Sequence, residues 1–271
     1  MSRLVAFAAS KGGTGKTVVA FNVATLLASE GVPVVVFDLD SQRARGGRTV
    51  YDLFDVGPFR LETVRPGYPG YFDLYAAVYD PSVEVPVEGA RGSFEDHDLV
   101  GNDADPSLLV AVPNEGIPVP DAFRHVLRKD APRAFDRIGR RGEPVGIIDT
   151  PPLNLESDDV LRVLSPGDVE VVPVVDPESA GQLARFGDSG LAVVNRIPPR
   201  RQAREFRRFF DDILSSHLEG FDGTVVKIPE LPVVRSATML GIPLCVRRGG
   251  RRRHMKGFLE IIESLFGGSD V

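Results

Sequence analysis

Cysteine is almost missing from this chain. Cys245 stands alone among 271 residues, which excludes a disulfide framework and any site that holds iron–sulfur clusters or soft metals through several thiolates. Cys245 itself reads as a small buried hydrophobe. The sequence also lacks the run of about eighteen apolar residues that a membrane-spanning helix needs. It shows no charged-then-apolar leader, since Met1 is followed almost at once by a core strand, and a cytoplasmic protein is expected. A positive balance is lacking too. The net charge is −6, so bulk charge does not mark a nucleic-acid binder, yet arginine is clustered rather than spread. No internal repeat is evident. What remains is a hydrophobic fraction of 42% on a chain long enough for one large α/β core, read as a single domain over 1–271.

The most informative stretch is Lys11-Gly12-Gly13-Thr14-Gly15-Lys16-Thr17. Leu4–Ala9 ahead of it reads as a short buried strand and Val18–Ser29 behind it as a helix, the order a phosphate-binding loop requires. Gly12, Gly13 and Gly15 let the backbone around Thr14 turn its N–H groups inward as an anion nest, at the positive end of the helix. Lys16 is placed to reach the β- and γ-phosphates, and the Thr17 hydroxyl to join a Mg²⁺ shell. Lys11 would crowd the same oxygens if it worked in its own subunit, so a role in a second subunit is more economical.

Two strand ends collect carboxylates beside this loop. Val34–Phe37 is a β-branched and aromatic run that ends in Asp38-Leu39-Asp40-Ser41-Gln42, and Val145–Ile148 is an apolar run that stops at Asp149-Thr150-Pro151-Pro152. Acids at the C-terminal ends of parallel strands lie where ligands gather in doubly wound folds. The second run reads as a Walker B strand, with Asp149 holding Mg²⁺.

The Lys-Gly-Gly-x-Gly-Lys-Thr string resembles the deviant Walker A motif of the ParA/MinD superfamily, and the chain as a whole is most similar to its ParA/Soj DNA-partition branch. The resemblance implies a three-layer α/β sandwich with a mostly parallel sheet of the P-loop NTPase class, ATP and Mg²⁺ as cofactors, and slow ATP hydrolysis in a homodimer where Lys11 reaches the partner's ATP. Asp-Leu-Asp-x-Gln is similar to the family's second signature, with Ser41 where Pro is usual. It implies that Asp40 positions water and that Asp38 supports the Mg²⁺ shell and the switch region. Val193–Arg200 resembles the strand and loop that recognise adenine, which implies a base contact for Asn195 and a DNA contact for Arg200. Ile228-Pro229 resembles the family's Ile-Pro element, which implies Pro229 against the adenine edge. Glu230 stands where relatives carry a basic residue, with Arg235 as its substitute.

Arginine gathers at Arg200, Arg201, Arg204, Arg207 and Arg208, and again at Arg247, Arg248 and Arg251–Arg253, with few acids inside either group. Such clusters neutralise backbone phosphates without reading sequence; a solvated helix face is the alternative. Candidate DNA contacts are Arg200, Arg204, Arg235 and Arg251. Residues at about 57–105 read as a surface insertion rich in Pro, Gly and acids, within which Asp73–Tyr79 has helical spacing and His97 sits in a solvated acidic loop. After Val175 only Glu178–Phe186 can form a helix, short beside the family pattern. Lys256–Phe266 has a wide apolar face, but Glu260 and Glu263 on its polar face suit a last core helix better than a membrane anchor.

Strands are expected near 4–9, 34–38, 108–112, 145–149, 169–175, 191–195 and 225–228. Three functions compete: a ParA-like ATPase that binds DNA nonspecifically and releases it when a ParB-like or other adaptor stimulates hydrolysis, near the nucleoid; a MinD-like ATPase on a membrane; and a nucleotide-controlled dimer with negligible hydrolysis.

Overall fold

The computed structural model describes residues 3–40, 48–64, 72–80, 107–113, 123–138, 142–153, 169–186, 190–198, 204–246 and 251–267. The strands in order are β1 (Arg3–Ala8), β2 (Val34–Asp38), β3 (Phe59–Thr63), β4 (Phe72–Tyr79), β5 (Leu108–Pro113), β6 (Val145–Asp149), β7 (Val169–Val175), β8 (Leu191–Ile197) and β9 (Thr224–Pro229). Among the described residues they form one sheet in the order β3-β4-β5-β2-β6-β1-β7-β8-β9. Every pairing from β5 to β9 is parallel. All five residues of β2 and all five of β6 are buried, as expected of central parallel strands covered on both faces.

The helices supply that cover. On one face lie α1 (Lys16–Ser29), α2 (Val50–Val56), α5 (Pro232–Met239) and α6 (Arg251–Phe266), packed with Val5, Phe7, Val34 and Val36. On the other lie α3 (Ala131–Ile138), against Leu4, Ala6, Val35 and Phe37, and α4 (Arg204–Leu218), which sets Leu214 against Ala192 and Val194. This is the expected three-layer sandwich. Helix α1 is buried nearly all round, and it ends where Gly31, at φ 83°, lets the amides of Gly31 and Val32 bond back to Ala28 and Leu27.

All seven expected strands are present, and two more extend the sheet. The helical reading of Asp73–Tyr79 is corrected: this segment lies in β4, antiparallel to both β3 and β5. Phe72, Leu74 and Ala76 face one core and Ala77 and Tyr79 the other, so the period is two. The hairpin is anchored by a relay of rings from α1 through Phe21, Phe54, Phe59 and Tyr79, with centroid separations of 4.9, 5.1 and 5.8 Å. Thus part of the stretch read as surface insertion is sheet edge. Residues 65–71 and 81–106, His97 among them, lie outside the described residues.

The apolar face of α6 is occupied within the fold, as expected of a last core helix. Phe258, Ile261 and Leu265 are buried against α1 and β9, and Gly257 lets the helix approach Ile228, whose side chain a Cβ there would meet. No helix among the described residues is long and apolar enough to cross a membrane. Elsewhere the backbones of α2 and α5 approach at Gly57 and Gly241. A Cβ on Gly241, which also has φ 64°, would collide with Leu53 and Gly57 backbone atoms. Gly241→Ala is therefore expected to lower unfolding free energy by about 2–4 kcal/mol in urea titration; a loss under about 0.5 kcal/mol would contradict this packing.

Candidate nucleotide site

Strand register assembles the site. Asp38 at the end of β2 pairs with Asp149 at the end of β6, and Asp149 pairs on its other side with Phe7 of β1. The amide of Leu39 bonds to the Asp149 carbonyl at 2.9 Å, the Thr150 hydroxyl to the Phe7 carbonyl at 3.0 Å and the Leu153 amide to the Ala9 carbonyl at 2.7 Å. Three strand ends are thereby tied together along one rim, and the glycine loop leaves β1 at that rim.

In the loop Gly13 has φ 82° and Gly15 φ 95°, left-handed values that glycine adopts freely. Gly15 immediately precedes α1, whose first residue is Lys16. The Lys16 side chain is buried. Desolvation lowers its pKa, while the carboxylates of Asp149 and Asp40 pull it back. Lys16, Asp40 and Asp149 are electrostatic neighbours at this end of the sheet.

The carboxylates differ in how they are held. Asp38 is fully committed within the protein: one oxygen accepts from the amide of Asp40 at 3.2 Å, the other from the amide of Tyr51 at 3.0 Å. Tyr51 belongs to the first turn of α2, where Thr49 and Asp52 form a reciprocal capping box. Asp38 thus holds the path from β2 into α2. Asp149 is the opposite case: among the described residues no backbone amide donates to its buried oxygens, whose side-chain hydrogen-bond neighbour is Thr17, and the buried Thr14 hydroxyl is left without a partner. Burial and the neighbouring Asp38 push its pKa well up, and Lys16 opposes them. A buried carboxylate without backbone donors, beside a threonine, a buried lysine and a glycine loop, is a donor set that suits Mg²⁺ and phosphate. Asp149, with Thr17 and Asp38 beside it, could hold such a metal shell.

Burial lifts the Asp38 carboxyl from the ordinary 3.8 to about 6, against the hydrogen bonds that favour its charged form. A folded pKa above the unfolded one means a stability contribution complete below about 3.8 and lost as pH rises through about 6. The nucleotide-free protein should therefore gain about 1 kcal/mol from this group near pH 5 relative to pH 7.5. Comparing urea midpoints of the native chain and Asp38→Asn isolates it; an identical pH response in both chains would contradict the assignment.

Lys11 and Lys16 part company. Lys11 lies on the surface, its amine 3.1 Å from Glu178 and 3.6 Å from Asp176, and the hydrogen bond to Glu178, then the charge of Asp176, raise its pKa. Asp176 is itself fixed by the amide and hydroxyl of Ser179, at 2.9 and 2.6 Å, at the entry to the short 3-10 helix Ala180–Phe186. Sequence reasoning missed these two acids. The Asp-x-x-Ser cap was readable locally, but its proximity to Lys11 was not.

Asn195 is buried near the end of β8 and donates to the Thr14 carbonyl at 2.9 Å. Pro229, half-buried, closes β9 opposite Ile197. The arginines are less assembled. Arg235 is exposed on α5, Arg204 and Arg251 open α4 and α6, and Arg200 lies outside the described residues.

A glycine loop at a helix N-terminus, with carboxylates at two strand ends beside it, defines a P-loop nucleotide-binding α/β protein. Over residues 5–268 the chain matches the CobQ/CobB/MinD/ParA nucleotide binding domain model, and it belongs to that family. A curated relative, the chromosome-partitioning ATPase Soj of Thermus thermophilus, is 35% identical over 136 residues, covering 44% of this chain and 54% of Soj. The match thus spans about half of that relative. Among solved structures, apo McdA of Cyanothece superposes with a TM-score of 0.59 at 14% identity, covering 98% of this chain and all of McdA. MinD of Pyrococcus horikoshii, complexed with Mg-ADP, superposes at 0.54 with 16% identity over the whole of both chains. The solved structures give the fold, and the match over residues 5–268 is what places the chain among the MinD/ParA-type nucleotide-binding domains.

Proposed function

We propose that the chain is an ATP-hydrolysing switch of the ParA type, which dimerises around ATP, binds DNA without sequence preference, and lets go when an adaptor stimulates hydrolysis, so that a DNA or other cargo is moved or placed. The observation that carries this reading is the division between the two loop lysines. Lys16 is buried among Asp149 and Asp40, whereas Lys11 is exposed and tethered to surface acids. A buried lysine suits the chain's own triphosphate, and an exposed one beside the same loop suits a partner's.

In that reading the loop amides and Lys16 hold the β- and γ-phosphates, and Thr17 and Asp149 orient the metal shell. Bound Mg²⁺ would neutralise charge on those phosphates. Asp40 orients the attacking water, and Lys11 of the second subunit stabilises charge that develops in the transition state. Asn195 and Pro229 flank the base. The burial of α6's apolar face within the fold favours DNA over membrane as the surface engaged.

The test is duplex DNA retention with ATP and with ADP. ATP-dependent retention that Arg235→Ala or Arg204→Ala weakens, and that moderate salt removes, is the expected result. Retention that ignores nucleotide would refute a switch.

A further inference from the structure

Asn195 does something in this fold before any base arrives. Its buried amide nitrogen donates to the Thr14 carbonyl at 2.9 Å, across a sequence separation of 181. The loop is shaped around that amide: a Cβ at Gly15 would strike the Asn195 amide nitrogen, and Gly15 has φ 95°. Strand β8 is also interrupted at this point. Val194 pairs with Lys227 and Ile197 with Pro229, so three steps on β8 match two on β9. That extra residue is a bulge, and Arg196 within it sits at φ 59°, the one positive φ outside glycine among the described residues. Bulges re-aim side chains at strand ends, and such backbone persists where its surroundings impose it.

We infer that Asn195 is a positioning residue for the phosphate loop, clamping the Thr14–Gly15 peptide so that the anion nest is formed in the nucleotide-free protein. The peptide is planar and trans, so a Thr14 carbonyl held toward β8 aims the Gly15 N–H the opposite way, into the nest. An amide carries two N–H donors, so the clamp leaves one for a base. The inference rests on nucleotide binding at this loop, and it adds that the base-side strand and the phosphate loop are mechanically one unit.

The experiment compares the native chain with Asn195→Ala and with Asn195→Leu, which keeps the branching at Cγ and removes the donors. Binding of ATP and of inorganic tripolyphosphate, each with Mg²⁺, is measured by calorimetry, and amide hydrogen exchange is followed without ligand. A clamp predicts that both ligands weaken alike, about tenfold. It also predicts faster exchange confined to Gly12–Thr17, with β1 and β6 amides unchanged. Loss of ATP affinity with tripolyphosphate binding and loop exchange intact would reduce Asn195 to a base contact and overturn the inference. Faster exchange throughout the sheet would equally overturn it, by showing general loosening. A native chain that binds neither ligand would sink the nucleotide reading, while the exchange comparison would still decide the clamp.

Discussion

Lys16→Ala is expected to weaken ATP binding by about a hundredfold or more, measured by calorimetry with Mg²⁺ present. Among the described residues the ammonium is the one cation buried at the rim, beside Asp149 and Asp40. Each hydrogen bond it would make to a phosphate joins two charged groups and is worth roughly 1.5–3 kcal/mol, so losing two costs about 3–6 kcal/mol. The substitution also strips Asp149 of its opposing cation, leaving three neighbouring carboxylates to repel one another. Those carboxylates relieve the repulsion by taking up protons, so the variant should be most stable at mildly acidic pH. A variant within about threefold of native affinity would mean that the loop amides alone hold the triphosphate.

Lys11→Ala should separate binding from turnover. ATP affinity should stay within about threefold of native, because the exposed Lys11 amine is held by Glu178 and Asp176 and not among its own loop's buried groups, while adaptor-stimulated hydrolysis falls by a factor of about a thousand, the scale of a charge supplied in trans to phosphoryl transfer. The structure adds a condition. Lys11 is held in its own subunit by Glu178 and Asp176, and it must exchange these partners for phosphate oxygens before it can act across an interface. Glu178→Gln removes one of the two holds, so it should dimerise at lower ATP concentration than the native chain. If Lys11→Ala lost ATP binding as completely as Lys16→Ala does, both lysines would serve one subunit and the trans role would be wrong.

The phosphate loop and the strand-end acids were legible because each rests on local order: strand, glycines, helix, or an apolar run stopped by Asp. The central strands were legible because burial on both faces writes itself as runs such as Val34–Phe37. Strand β4 was not. In Asp73-Leu74-Tyr75-Ala76-Ala77-Val78-Tyr79 the apolar residues satisfy both a helical and a strand period, and what decides between them is the free edge of β5, which no local pattern reveals. Lys11 with Glu178 and Asn195 with Thr14 were hidden for a different reason. They lie 167 and 181 residues apart in sequence and meet only because β7 and β8 follow β1 in the sheet. The opposite habits of Asp38 and Asp149 came from the same source, since only the register shows one satisfied by the α2 entry and the other left open.

The central claim is that ATP joins two copies of this chain. Asp40 is the residue to remove for the measurement, because losing the water-positioning carboxylate should leave binding intact and stop turnover. Light scattering coupled to size exclusion of Asp40→Ala, run with Mg²⁺ and either ATP or ADP, then reads the claim directly. The account predicts a dimer with ATP and a monomer with ADP. A monomer in both nucleotides, under conditions where ATP is shown to be bound, would contradict it.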